Sequence, residues 1–152
     1  MSIKNLAYEK NKLINLFNQK KYKKIVNICK KLKTDLFEDI EISKLLITSE
    51  IYLKNYSIAE RYLQIILKKN NTAELNYLLG NILKLQQKNV EAIEAFKKAI
   101  ELDKDFSEAY NNLANVQKKI KNYKEAKKNY EKSIEINKNN LEAYYNLGNL
   151  LK

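Results

Sequence analysis

Three asparagines, Asn81, Asn115 and Asn149, stand 34 residues apart, with Asn112 and Asn146 beside them. A primary amide carries two N–H donors and a carbonyl acceptor. A row of amides could therefore hold the N–H and C=O groups of an extended peptide without reading its side chains. Lys84, Lys118 and Lys152 recur at the same spacing, Lys119 adjoins them, and Tyr77 and Tyr145 lie nearby in sequence. Together they suit a peptide or protein ligand with acidic groups. The Asn row falls on the helix face away from Leu79, Leu113 and Leu147, a face that packing is not expected to require.

Catalysis finds little to work with. There is no histidine, so the commonest general base and metal ligand is missing. A lone Cys29 cannot build a zinc site or an intrachain disulfide and reads as a small buried hydrophobe. Ser43, Ser57 and Ser133 have no base to activate them, and Gly80 and Gly148 stand singly rather than as a phosphate-cradling loop. Glu91, Glu94, Glu101, Asp103 and Asp105 are interleaved with Lys97 and Lys98, the pattern of a solvated helix face. No catalytic, cofactor or metal-binding residue is assigned, and these residues are not expected to form an enzyme.

The elements that must carry the amides repeat as well. Glu74, Glu108 and Glu142, then Leu79, Leu113 and Leu147, then Gly80, Ala114 and Gly148 all keep the 34-residue spacing. A fixed period in this range marks stacked units, each too small to bury its own apolar face. Each period holds two helical stripes: Leu75, Leu79, Ile82 and Leu83, then Ala92, Phe96, Ala99 and Ile100. The next has Ala109, Leu113 and Val116, then Ala126, Tyr130, Ser133 and Ile134. The gap at Lys88-Asn89 is short enough to force antiparallel hairpins. Asn122 with Glu125, and Ser57 with Glu60, predict capping boxes. Small residues at 80, 92, 99, 114 and 126 let backbones approach, with Phe96 and Tyr130 filling the grooves beside them. No a/d heptad runs through the turns, which excludes a coiled coil.

The pattern resembles the tetratricopeptide repeat, W-x2-L-G-x2-Y, then A-x3-F, then P. Here it reads Asn76-x2-Leu79-Gly80-x2-Leu83 with Ala92-x3-Phe96, then Tyr110-x2-Leu113-Ala114-x2-Gln117 with Ala126-x3-Tyr130, and last Tyr144-x2-Leu147-Gly148-x2-Leu151. Upstream, Leu45-x2-Thr48-Ser49-x2-Tyr52 with Ala59-x3-Leu63 fits with a shorter turn at Lys54-Asn55. Leu13, Leu16, Tyr22, Ile25, Cys29 and Leu32 outline a diverged first unit. The expected organisation is one solenoid over 1–152: a degenerate repeat at 6–39, repeats at 42–72, 73–106 and 107–140, and the first helix of a fifth at 141–152. Lys104 and Lys138 replace the closing proline, which leaves the second helices free to run a turn longer and their ends open.

The resemblance implies an all-α, right-handed superhelical solenoid whose first helices line a concave groove. It places Tyr77, Asn81, Lys84, Asn112, Asn115, Lys118, Lys119, Tyr145, Asn146 and Asn149 in that groove as peptide-binding residues. The Asn rows are similar to those in the repeat arm of O-linked N-acetylglucosaminyltransferases. The dicarboxylate clamp of chaperone-binding members is not matched, because Tyr77, Glu142 and Asn146 stand where it has basic residues. A chaperone's acidic tail is therefore not the expected ligand.

Composition agrees with continuous helix: no proline, two glycines, 45% hydrophobic and 31% charged residues. The net charge of +11 is almost all lysine, Arg61 being the sole arginine, and residues 1–39 alone carry ten lysines against four acids. It reads as a solvated lysine surface, and a nucleic-acid partner is not expected. No signal peptide or membrane span is evident, so a cytoplasmic protein without membrane insertion is expected. Tyr144, Leu147, Leu150 and Leu151 form an apolar stripe. It predicts self-association, or else that the chain is one segment of a longer protein. The expected function is an interaction scaffold binding an extended peptide or protein segment. The alternatives are the substrate-targeting arm of a larger glycosyltransferase or sulfotransferase, and RNA binding through the basic first repeat.

Overall fold

The computed structural model describes residues 3–31 and 39–152, with side chains from Ala7 onward in the first helix; Leu32 of the diverged unit lies outside the described residues. Among the described residues the regular structure is all helix: α1 (Ile3–Asn18), α2 (Tyr22–Lys31), α3 (Ile40–Tyr52), α4 (Tyr56–Lys69), α5 (Ala73–Leu85), α6 (Asn89–Leu102), α7 (Ser107–Lys119), α8 (Tyr123–Ile136) and α9 (Leu141–Leu150). The chain divides into two compact units, Met1–Asn70 and Asn71–Lys152.

In the first unit Leu13, Ile25, Val26, Cys29, Ile42 and Leu46 form the core. Cys29 is fully buried, and that burial pushes its thiol pKa up to about 11, so it packs as a hydrophobe. Tyr22 and Tyr52 stack with ring centroids 4.4 Å apart, and Phe17 meets Tyr22 edge-on at 5.6 Å. These contacts close the α1–α2 turn against the end of α3.

In the second unit the helices pack as successive hairpins, α5 on α6 and α7 on α8, with α6 against α7 and α8 against α9. The first helices α5, α7 and α9 also touch in sequence, as stacked repeats require. Alanines 92, 95, 99, 109, 114, 126 and 143 are buried where backbones approach. Phe96 and Tyr130 are completely buried beside them. Burial of a ring of this size contributes on the order of 1.5–3 kcal/mol.

All four intra-hairpin turns use one device. Lys20, Lys54, Gln87 and Lys121 have φ of 57°, 62°, 63° and 64°. The following residue's N–H reaches back five positions, as in Lys88 N to Leu83 O at 3.0 Å and Asn122 N to Gln117 O at 2.9 Å. The left-handed residue itself donates three positions back, Gln87 to Lys84 and Lys121 to Lys118, completing a Schellman motif. A side chain in this conformation is strained, and glycine is not. Lys121→Gly is therefore expected to raise stability by about 0.5–1 kcal/mol. Chemical denaturation checks this, and an unchanged or lowered midpoint would contradict it.

The structure decides where the second helices end, and one sequence expectation changes. The second helices do not run long: α6 stops at Leu102 and α8 at Ile136, because Asp103 and Asn137 turn extended (φ −140° and −127°). Their side-chain oxygens then accept from the N–H groups of Asp105 and Asn139, both at 3.0 Å. These Asx turns end the helices where the family pattern has a proline. The capping boxes also differ: Asn122 occupies the N-cap of α8 without a side-chain cap bond, and α4 is preceded by Asn55 rather than Ser57. Asn55 instead donates its amide to Glu50 Oε2 at 2.7 Å. The side-chain caps that form are Asp39 on α3, Thr72 on α5 and Asn140 on α9.

Candidate functional site

The face shared by α5, α7 and α9 is organised around one amide. Asn112, on α7, is 8% exposed. Its Nδ2 donates to Tyr77 Oη at 3.0 Å and to Asn81 Oδ1 at 2.9 Å, both on α5. Its Oδ1 accepts from Lys84 Nζ at 3.2 Å and from Asn115 Nδ2 at 3.4 Å. Every hydrogen-bonding position of this side chain is occupied, as a buried amide requires. Asn115 Oδ1 in turn accepts from the buried Tyr130 hydroxyl at 2.6 Å, linking the face to α8.

Helical spacing explains the convergence. Tyr77, Asn81 and Lys84 follow one another at i, i+4 and i+7 along one face of α5, while Asn112 and Asn115 are one turn apart on α7. The Tyr77 ring leans on Phe96 and Phe106, with centroids 5.9 and 4.9 Å away, which fixes its hydroxyl toward α7.

The electrostatics are mixed in sign. Burial pushes the Tyr77 phenol up; the Asn81 hydrogen bond opposes this, and the Glu108 and Glu142 charges add to it. Burial lowers the Lys84 ammonium below the usual lysine range, with Glu142 opposing. Tyr130 is pushed up to about 12, by burial first and Glu142 second. One carboxylate thus acts on three members of the network, so the face is not uniformly basic.

Five of the ten residues singled out in the sequence meet in this network: Tyr77, Asn81, Lys84, Asn112 and Asn115. Asn146 on α9 lies beside it, donating to Asn111 Oδ1 at 3.3 Å. Lys118 is half-buried, and Lys119, Tyr145 and Asn149 are exposed. The expectation that packing makes no demand on this face fails at Asn112 and Asn115, whose amides join α5, α7 and α8. Sequence reasoning missed Asn111, 3% exposed, and the reach of Glu142. No periodic signal marked Asn111, since its 34-residue counterparts are Tyr77 and Tyr145; its bond to Asn146, like that of Tyr77 to Asn112, spans 35 residues, one more than the repeat period.

Among the described residues no group of three or more His, Cys, Asp or Glu could hold a metal ion. Nor is any helix there long and apolar enough to cross a membrane.

Antiparallel helix pairs stacked at a fixed period, with their first helices forming a common polar face, define a helical-repeat protein. Residues 80–121 match the family described as TPR repeat, and residues 107–140 and 129–152 match families described as Tetratricopeptide repeat. The chain is a tetratricopeptide repeat protein, an all-α helical-repeat solenoid. No curated protein sequence matches it.

Among solved structures it is similar to the MamA protein, at 24% identity and a TM-score of 0.81 over 91% of this chain and 76% of that one. YrrB, described as a TPR protein with an unusual peptide-binding site, matches at 20% identity and a TM-score of 0.77, over 86% and 68%. The second TPR domain of human RPAP3, in complex with the HSP70 peptide SGPTIEEVD, matches at 21% and 0.69, over 72% and 92%. At these identities the likeness is one of fold.

Proposed function

We propose that the face shared by α5, α7 and α9 binds an extended peptide or protein segment, and that the chain works as an interaction scaffold. The observation that carries this reading is the Asn112 network. It holds Tyr77, Asn81, Lys84 and Asn115 in fixed positions on one face while leaving the last three half-exposed at its rim. Polar groups already ordered lose little entropy when a ligand's backbone bonds to them. Similar folds with peptide ligands, such as the RPAP3 domain, support the same use of this architecture.

The ligand is a segment of mixed polarity. Lys84, Lys118 and Lys119 favour acidic side chains toward the C-terminal ends of α5 and α7, while Glu142 and Glu108 disfavour them near Tyr77. Selection from a display library of unstructured peptides tests the reading. Lys118→Glu with Asn149→Ala, both outside the network, should lower stability by about 1 kcal/mol or less, the helix-dipole contribution of Lys118, and should deplete the selected acidic peptides about tenfold. Glu142→Gln should enrich them. A double variant that selects the same peptides as the parent, equally well, would refute the groove.

A further inference from the structure

Gln117 is a buried amide at a place where the preceding hairpin packs an apolar side chain. Its counterpart 34 residues earlier is Leu83, part of the core between α5 and α6. Asn129 on α8 likewise stands 34 residues after Ala95, a member of that same core. The two amides meet: Asn129 Nδ2 donates to Gln117 Oε1 at 2.7 Å and to the Glu125 carbonyl at 3.0 Å. The Gln117 oxygen is thereby occupied. Its Nε2, on a residue only 5% exposed, donates to no group among the described residues. That nitrogen is not sealed inside the protein, so its N–H groups open on the cleft that Gln117 lines. A donor in such a place costs free energy until an acceptor reaches it.

The cleft has a volume of about 550 Å³. Its floor is α7, through Tyr110, Leu113 and Gln117. One wall is α6, through Ile93, Lys97 and Ile100, and the other is α8 at Asn129. Tyr110, Leu113 and Gln117 follow one another at i, i+3 and i+7, on the side of α7 opposite Asn112 and Asn115. The cleft is therefore separate from the polar face.

Its charges are unevenly matched. Both carboxylates at the rim are already paired, Glu101 with Lys98 at 2.9 Å and Glu125 with Lys128 at 3.0 Å. Lys97 has no ion pair among the described residues, and the Tyr110 hydroxyl has no hydrogen bond there. What remains is an ammonium, an amide N–H2 and a phenol, each able to donate. Beside them the lining is aliphatic: Ile93, Ile100 and Leu113.

We propose that this cleft takes an extended segment of a partner protein in which a carboxylate lies beside an aliphatic side chain. The carboxylate accepts from Gln117 Nε2 and faces the Lys97 ammonium, while the aliphatic chain covers Ile93, Ile100 and Leu113. Charge complementarity selects the carboxylate, since the donors here lack acceptors and the cation lacks a counter-charge. The volume lies in the range of sites that enclose drug-sized molecules, which is room for a few extended residues and not for a docked domain. The proposal does not rest on the reading of the α5, α7 and α9 face. With both, one scaffold holds two segments on opposite sides of α7.

Selection of displayed linear peptides on the 152-residue chain, repeated on its variants, tests this. The parent should enrich a class with Asp or Glu within two positions of Leu, Ile or Val. Lys97→Gln, a change at an exposed residue, should abolish the preference for Asp or Glu in that class. Gln117→Met keeps the side-chain length without the donors and should deplete the class about tenfold, the worth of a hydrogen bond to a charged group. Lys118→Glu with Asn149→Ala, on the other face, should leave the class unchanged. A synthesised member of the class should also shift the Gln117 side-chain N–H2 signals in the NMR spectrum of the parent, a readout that does not depend on how Gln117→Met folds. The proposal is overturned if no enriched class responds to Lys97→Gln, or if its peptides leave the Gln117 signals unmoved. A chain that sediments as an oligomer and is returned to monomer by Lys97→Gln would overturn it as well, by assigning the cleft to a second copy.

Discussion

Asn112→Leu is expected to lower the unfolding free energy by ~2–4 kcal/mol, although leucine is a better helix former with the same branching. The substitution removes four hydrogen bonds at once and leaves the Tyr77 hydroxyl, Asn81 carbonyl, Lys84 ammonium and Asn115 amide facing an apolar side chain. The last three are half-exposed and can turn to water, which keeps the loss below the sum of four fully buried bonds. Chemical denaturation monitored by helical signal reads the change. A loss under about 0.5 kcal/mol, the range of ordinary surface substitutions, would show that the network does not hold α5 to α7. Asn115→Ala belongs with this prediction, since it strands the buried Tyr130 hydroxyl.

Gly80→Ala and Gly148→Ala should move stability in opposite directions. In a helix alanine is ordinarily favoured over glycine by about 1 kcal/mol. At Gly80 the new Cβ would lie 2.5 Å from Phe96 Cε1 and 2.6 Å from Cδ1, inside a fully buried ring. The ring cannot yield without disturbing α6, so overpacking wins and a net loss of ~1–3 kcal/mol is expected. At Gly148 nothing stands within 4 Å, so the propensity gain of up to about 1 kcal/mol is kept. Paired thermal melts decide the matter, and two shifts of the same sign would contradict the packing described for α5 and α6.

Much of the fold was legible because helical periodicity and hairpin turns are local. Apolar spacing located the stripes of α5 to α8, and the small residues opposite Phe96 and Tyr130 marked the close contacts. The 34-residue recurrences have different physical origins. Glu74, Glu108 and Glu142 sit in first turns, and Lys84 and Lys118 in last turns, where each complements the helix dipole. Helix electrostatics supports both rows, and Lys84 in addition donates to Asn112. The Asn row has no such local explanation, since Asn is an indifferent helix former away from the caps.

What the sequence by itself determined is the set of hairpins and the side of each helix that faces the core, because both depend on contacts within a few residues along the chain. Which amides are consumed inside the fold was left to the tertiary structure. Asn112 finds its partners 28, 31 and 35 residues away, on a helix whose rotation and rise relative to α7 follow from the packing of Phe96, Leu113 and Val116. The same holds for the two glycines. Gly80 and Gly148 occupy one motif position, yet one lies against a ring and the other has open space beside it. The difference is made by a helix packed from the side, which no residue next to either glycine encodes.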